Sequence, residues 1–344
     1  MVATTSSTGE GWSSRTAFIL AAVGAAVGLG NIWRFPTLAG ESGGGAFVIV
    51  YIACVFLLGL PLVLSEIFIG RVGQTDAIGS IRRVAAQSQA SPGWSVFGAV
   101  GALAAFLIVA FYSVVAGWVL YYVGVMGSDL AQAIMAGDPF RGALAGESRE
   151  QIQQRLGDMF ANPGLLLAVH FLFMGLTLYI VARGVSSGIE KAATYLMPVF
   201  FVLLVGLVIY GAIEGDIGDA AAFLFTPDWS KLTPEVMNSA LGQALFSLSL
   251  GVAGLITYGS YIKEGSALGP TAAIIAIADT CVALLAGLMI FPIVFAVGLD
   301  PAAGPTLVFQ TLPFAFQTMP GGALFGLLFF LLILVAAVTS SISL

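Results

Sequence analysis

The chain runs again and again for about 20 or more residues with almost no charge, which is the length a helix needs to cross a bilayer. The stretches 94–126, 271–298 and 322–344 are of this kind. Residues are 59% hydrophobic and only 9% charged, with a mean hydropathy of +1.02. A soluble domain carries about 25% charged residues, so most of this chain is solvated by lipid or by its own interior. In lipid the backbone must satisfy its own hydrogen bonds, which leaves helices or a closed barrel. Long runs, rather than segments of about ten alternating residues, select helices. Eight spans are expected, roughly 14–38, 44–70, 94–126, 163–182, 192–213, 236–262, 271–298 and 322–344.

The connections alternate in charge. Arg15, Arg71, Arg82, Arg83, Arg183, Lys191 and Lys263 fall at the N-terminus or in even-numbered connections, whereas Arg141, Arg149, Arg155 and Lys231 fall in odd-numbered ones beside many acids. The first set is larger and lies in short connections, so the positive-inside rule places the N-terminus in the cytoplasm. A formal net charge of −6 offers no basic face for nucleic acid. Cys54 and Cys281 lie inside apolar runs and read as small packing residues rather than a disulfide framework. The polar, Ser/Thr-rich start shows no cleavable signal.

Two connections on the outer side are long. Residues 127–162 are amphipathic and expected to be helical over 147–160, and residues 300–321 are expected to fold back onto the outer face as a hairpin. The last run reaches Leu344 without a polar flank. A free carboxylate at that depth is costly, so the chain is expected to be a fragment of a longer protein.

Within this apolar background the first span is anomalous. "AAVGAAVGLGNIWRFP" (21–36) holds Gly24, Gly28 and Gly30 together with Asn31, Arg34 and Pro36. Small residues let helices approach closely, but the sixth span repeats the pattern in "GQALFSLSLGVAGLITYGSY", with Ser247, Ser249, Gly251 and Gly254 at mid-membrane. Glycine-interrupted spans at matching positions of two halves mark a site built from broken helices. Unwound carbonyls suit a cation there, and exposed N–H groups suit an anion. Asp279, in the apolar run "IIAIADTCVALL", is an acid at a depth where it must face a cavity or a partner. Thr339 and Ser340 in "VTSS" offer hydroxyl oxygens that suit sodium. Glu66 closes the second span beside a basic connection and reads as interfacial, and His170, without metal-ligand companions, reads as a packing residue.

The stretches "AVGLGNIWRFP", "GGGAF", "RGVSSGIEK", "LGQALFSLSLG", "LVFQTLP" and "VTSSIS", in this order, resemble the neurotransmitter:sodium symporter family, in its bacterial amino-acid branch typified by the leucine transporter. The resemblance covers Trp12 to Leu344. It implies an all-α inverted-repeat transporter with helices 1 and 6 broken. Residues 1–13 would be a cytoplasmic tail, 14–214 a first five-helix repeat, and 215–344 a partial second repeat of helices 6–8. The second repeat would be incomplete, and the acidic partner of Arg34 would lie beyond Leu344. The implied location is a prokaryotic cytoplasmic membrane.

Carried over by position, one sodium would sit among the Ala26 carbonyl, Asn31, Ser247, Asp279 and the substrate carboxylate. A second would take the carbonyls of Gly24, Val27 and Ala336 with the hydroxyls of Thr339 and Ser340. Substrate would lie against Ala25, Ala26, Leu29, Gly30, Ile108, Tyr112, Phe246, Ser249, Val252 and Ser340, its carboxylate held by the Leu29–Gly30 backbone and the Tyr112 hydroxyl. Tyr112 and Phe246 would lid the pocket, with Arg34 and Gln243 above as the outer gate. The resemblance implies two Na⁺ ions, no organic cofactor, no catalytic residue, a neutral amino-acid substrate, and a monomer or weak homodimer.

Departures from the family pattern sharpen these expectations. Monoamine carriers hold an acid at the position of Gly28; glycine favours an amino acid. Bacterial relatives carry their fixed acid at the position of Ala283, one helical turn from Asp279, so the negative charge is kept and chloride independence is expected. A carboxyl at Asp279 is also expected to exchange a proton during the cycle, and uptake unchanged by an imposed pH gradient would contradict it. Val252 and Ala25 replace bulkier family residues, which predicts a roomy apolar pocket for larger aliphatic or aromatic amino acids, although such pockets discriminate by only about 1–3 kcal/mol per methylene. The inner-gate arginine of relatives aligns with Gly9, leaving either a different gate or a substitution by Arg15. Gly188 and Pro198 stand at the spacing linked in relatives to unwinding of the fifth helix. Two other classes are weighed. An intramembrane aspartyl protease would need a second mid-span acid facing Asp279, and a non-transporting amino-acid sensor would share the same binding site.

Overall fold

The computed structural model describes residues 11–262 and 265–344; Gly9 and Lys263 lie outside them. Among the described residues every regular element is helical. The first span is α1 (Arg15–Ala26) and, after a break at 27–29, a π-helical turn (Gly30–Arg34) running into α2 (Phe35–Glu41). The two halves are bent by 46°. The second span joins α3 (Gly45–Cys54) to α4 (Leu60–Gly73) through a π-helical turn. There follow α5 (Ala77–Gln87), the long α6 (Val96–Met135), α7 (Arg149–Phe160), α8 (Pro163–Val181) and α9 (Glu190–Glu214). The chain continues through α10 (Ile217–Phe225), α11 (Pro234–Ser247), α12 (Gly254–Ser260), α13 (Leu268–Ala296), α14 (Leu312–Thr318) and α15 (Gly322–Ser341). Six uninterrupted helices among the described residues are long and apolar enough to cross a membrane. The remaining two expected spans are the divided ones: α1 with α2, and α11 with α12.

Two segments and one cysteine differ from expectation. α6 continues to Met135, nine residues past the expected end, because Asp129 is satisfied by tertiary partners: Arg141 donates to it at 2.7 Å and the Leu144 N–H at 2.9 Å. Residues 300–321 are not a bare hairpin but a succession of short helical turns ending in α14, with Leu307, Phe309, Leu312 and Phe316 buried. The Tyr122 hydroxyl anchors this segment to α6 by donating to the Phe309 carbonyl at 2.7 Å. Cys54 is half-buried and Cys281 is exposed on the outer face of α13, so the latter is no packing residue; both are free. The expected helix over 147–160 is α7, where Ser148 and Gln151 form a reciprocal capping box. Asp76 caps α5, and the hydrogen bond from the Gly79 N–H lowers its carboxyl pKa.

Glycine governs how closely the spans approach. α4 and α12 cross at Gly70 and Gly259: a Cβ on Gly70 would stand 1.9 Å from the Ile256 carbonyl oxygen, and one on Gly259 would stand 2.6 Å from that of Ile67. Both obstacles are backbone, so no rotamer can relieve them. Gly70→Ala is therefore expected to lower stability by ~1–3 kcal/mol or more through overpacking. A thermal midpoint in detergent equal to that of the parent would contradict this.

Candidate functional site

Both breaks face one another at mid-molecule, and each has a local cause. In the first span, Val27 leaves helical geometry with ψ 108° as α1 ends, which frees the last carbonyls of that helix. In the sixth, Ser249, Gly251 and Ala253 all adopt left-handed φ (53°, 78° and 63°), so the chain cannot continue α11 and restarts at Gly254. The breaks are stitched together. The Ser249 hydroxyl donates to the Ala25 carbonyl at 3.0 Å, and Gln243 Nε2 donates to the Gly30 carbonyl at 2.8 Å.

A cavity of about 320 Å³ lies between them, within the size range of small-molecule sites. All ten residues expected around substrate line it: Ala25, Ala26, Leu29, Gly30, Ile108, Tyr112, Phe246, Ser249, Val252 and Ser340. Gly28, Gly242, Leu245 and Leu250 join them. Polar groups are few. The Tyr112 hydroxyl accepts from the Leu29 N–H at 3.2 Å, on the side where the first break exposes its backbone.

Beside the cavity Asp279, fully buried on α13, meets Asn31 and Ser247. Asn31 Nδ2 donates to Asp279 Oδ1 at 2.7 Å and to the Ser247 hydroxyl at 3.0 Å. Ser247 donates to both carboxylate oxygens at 2.8 and 2.7 Å, and the Tyr51 hydroxyl approaches Oδ2 at 3.4 Å. Asn31 Oδ1 accepts from the Gly28 N–H at 3.1 Å. Asp279, Asn31, Ser247 and Tyr51 thus form one buried polar network. Ala26, the last residue of α1, sits at the adjoining helix end.

On the other side of α1, the Ser340 hydroxyl reaches the carbonyls of Val27 at 3.1 Å and Gly24 at 3.4 Å. The Thr339 hydroxyl reaches the Ala336 carbonyl at 3.1 Å. Gly24 is small for a reason: its Cβ would stand 3.1 Å from Met197 Sδ and 3.3 Å from Thr339 Cβ. The five oxygens expected for a second sodium therefore belong to adjoining residues of α1 and α15. They are neutral carbonyls and hydroxyls, a donor set suited to a hard monovalent cation.

A second cavity of about 460 Å³ opens above the first. Leu29, Tyr112 and Phe246 line both cavities and form the partition between them. Arg34 lies over it, donating to Gln243 Oε1 at 2.8 Å with its guanidinium 5.0 Å from the Phe246 ring centroid. Among the described residues the ion pairs are Arg141–Asp129 and Arg155–Glu147, so Arg34 is held by a neutral partner.

At the opposite end Trp12 is buried, donates from Nε1 to the Tyr258 carbonyl at 3.0 Å, and packs edge-on against the Tyr258 ring. The Ser13 hydroxyl and N–H both bond the Glu190 carboxylate. Arg15 donates to the Thr271 hydroxyl at 3.2 Å rather than to a carboxylate. Gly188 packs where a Cβ would lie 2.1 Å from the Ile180 carbonyl oxygen, and α9 runs unbroken through Pro198.

Glu66 is not merely interfacial, as its place in the sequence suggests. Its Oε1 accepts from the Gly251 N–H at 2.8 Å, satisfying a backbone group that the sixth-span break releases. The signal was present, since an acid within an apolar run is the pattern that singled out Asp279. Glu66→Ala is expected to cost ~1 kcal/mol by removing the acceptor of that N–H. Glu66→Gln, which keeps an acceptor, should retain most of the stability, and equal denaturation midpoints for the two variants would contradict the assignment.

The sodium:neurotransmitter symporter family model matches residues 9–132 and 149–344. The chain is 40% identical over 332 residues to an uncharacterized sodium-dependent transporter, YhdH, of Bacillus subtilis (strain 168), covering 96% of this chain and 70% of that protein. It is 38% identical over 335 residues to an uncharacterized sodium-dependent transporter of Haemophilus influenzae, covering 96% of this chain and 71% of that one. Among solved structures, MhsT in complex with L-phenylalanine superposes with a TM-score of 0.83 at 44% identity, over 97% of this chain and 72% of that one. This multi-pass, broken-helix chain therefore belongs to the sodium:neurotransmitter symporter family, a family of sodium-dependent transporters.

Proposed function

We propose that the protein is a sodium-coupled symporter of neutral hydrophobic or aromatic L-amino acids, working by alternating access and independently of chloride. The observation that carries this reading is the cavity of about 320 Å³ between two broken spans, apolar over most of its wall and with backbone groups and the Tyr112 hydroxyl gathered at one end. An amino-acid carboxylate would lie against the Leu29–Gly30 backbone and Tyr112, and the side chain against Ile108, Phe246 and Val252. That MhsT was solved with L-phenylalanine supports an aromatic or large aliphatic substrate.

Two Na⁺ ions are the co-substrates. The first would take Ala26, Asn31, Ser247, Asp279 and the substrate carboxylate, and the second Gly24, Val27, Ala336, Thr339 and Ser340. A shared carboxylate makes substrate and sodium raise each other's affinity, as linkage requires. Asp279 supplies the fixed negative charge beside the first ion. Tyr112 and Phe246 close over substrate, with Arg34 and Gln243 as the outer gate, while the broken spans rock against a scaffold. The bacterial relatives and the excess of arginine and lysine in the even-numbered connections support a prokaryotic cytoplasmic membrane with the N-terminus inside, and the protein would act as a monomer or weak homodimer.

Equilibrium binding tests the substrate reading. Labelled L-phenylalanine should bind the purified protein in sodium but not in potassium, and Val252→Phe should weaken that binding while sparing a small amino acid such as alanine. Binding that is indifferent to sodium, or a Val252→Phe variant that discriminates no better than the parent, would contradict it.

A further inference from the structure

The amphipathic helix α5 lies outside the apolar spans yet touches the broken sixth span. Ala77 is buried against Ala253, at the break, and Ile256 of α12, with Ile69 and Ile81 packed on the same cluster. Gly98 lets α6 press onto α5, since a Cβ there would stand 2.9 Å from Ile78 Cα. The other face is exposed and basic: Arg82 and Arg83 are both exposed, and no acid occurs within Ala77–Gln87. Neither arginine joins an ion pair among the described residues. Arg83 donates to the Gly73 carbonyl at 2.6 Å. Asp76, which caps the helix, accepts from the Gly79 N–H, and Glu66 accepts from the Gly251 N–H.

The turn Pro92–Ser95 packs against α5 and presents Trp94, stacked on Phe97 with ring centroids 5.5 Å apart. These rings are 55% and 62% exposed and open the lipid-facing stripe of α6 that continues through Val100 and Leu103. A tryptophan at the end of such a stripe marks the headgroup level. A basic helix beside it lies in the interface and attracts anionic lipid.

We propose that Arg82 and Arg83 form a docking surface for anionic phospholipid headgroups, and that α5 passes this binding to the lower half of the sixth span through Ala77 and Ile81. Exposed arginines that join no ion pair among the described residues, next to an interfacial aromatic pair, favour a lipid headgroup over a protein partner. The inference rests on the transporter reading only for the purpose of the moving span, and its test does not depend on transport.

The test is native mass spectrometry of the purified protein titrated with phosphatidylglycerol or phosphatidylcholine. Arg82→Gln should weaken phosphatidylglycerol binding about fivefold, the effect of one arginine near an anionic surface. The double Arg82→Gln/Arg83→Gln variant should weaken it by roughly twentyfold, leaving phosphatidylcholine binding unchanged. The double Arg→Lys variant should retain binding, and Lys231→Gln should bind as the parent does. Unchanged phosphatidylglycerol affinity in the double Gln variant, or an equal loss in the double Lys variant, would overturn the docking surface. Phosphatidylglycerol should also slow amide hydrogen exchange across Gly254–Ser260 in the parent but not in the double Gln variant; exchange indifferent to the lipid would overturn the coupling.

Discussion

Asp279→Asn is expected to weaken sodium-dependent substrate binding by roughly two to three orders of magnitude in chloride-free buffer, and added chloride is expected to restore part of it. The carboxylate is fully buried and accepts from Asn31, Ser247 and Tyr51. Removing one partner of a buried charged pair costs ~3–5 kcal/mol, and each 1.4 kcal/mol is about tenfold in affinity. The substituted amide also turns its own N–H₂ toward the donors of Asn31 and Ser247, so the network loses an acceptor as well as a charge. A thermal midpoint recorded on the same preparation separates loss of the ion from loss of the fold. Binding within threefold of the parent, with or without chloride, would show that Asp279 is not the fixed charge.

The second large effect is expected from Gly28→Ala. A Cβ at this position would stand 2.3 Å from the Ser340 hydroxyl and 2.9 Å from that of Tyr112. Those hydroxyls serve different regions: Ser340 reaches the carbonyls of Gly24 and Val27, and Tyr112 accepts from the Leu29 N–H. One methyl group therefore disturbs the candidate second sodium site and the candidate carboxylate site together. Overpacking of this kind costs ~1–3 kcal/mol, and substrate affinity should fall by about ten- to a hundredfold. Gly30→Ala is the contrast, because its Cβ would press on the Phe246 ring at 3.1 Å, which a lid side chain can relieve by turning aside, and would meet Ser247 Cα at an ordinary 3.8 Å. Equal losses in the two variants would contradict the argument from space.

What could be read in the sequence was whatever broke a local rule. Glycines in an apolar run predicted the breaks of the first and sixth spans, and the structure breaks both. Asp279 could be singled out because its helix offers no neighbouring charge, and it meets Asn31 and Ser247, which lie 248 and 32 positions away. Features that depend on distant rescue were less legible. Asp129 looks like the start of a loop until Arg141 and the Leu144 N–H bind it, and only then can α6 extend. Glu66 looks interfacial until the sixth span unwinds opposite it, 185 positions on. Residues 300–321 are too rich in proline for a span and read as a hairpin folded back onto the outer face, yet burial of Leu307, Phe309 and Phe316 favours helical turns there.

The account's central claim is that a sodium gradient drives an amino acid through the cavity between the broken spans. It is tested most directly with the intact protein, by uptake of labelled L-phenylalanine into proteoliposomes under an inward sodium gradient, with gluconate replacing chloride. Concentrative accumulation is predicted, abolished by a sodium ionophore and unchanged when chloride is restored. Binding without accumulation would identify a sensor instead, and accumulation that persists without sodium would contradict the account outright.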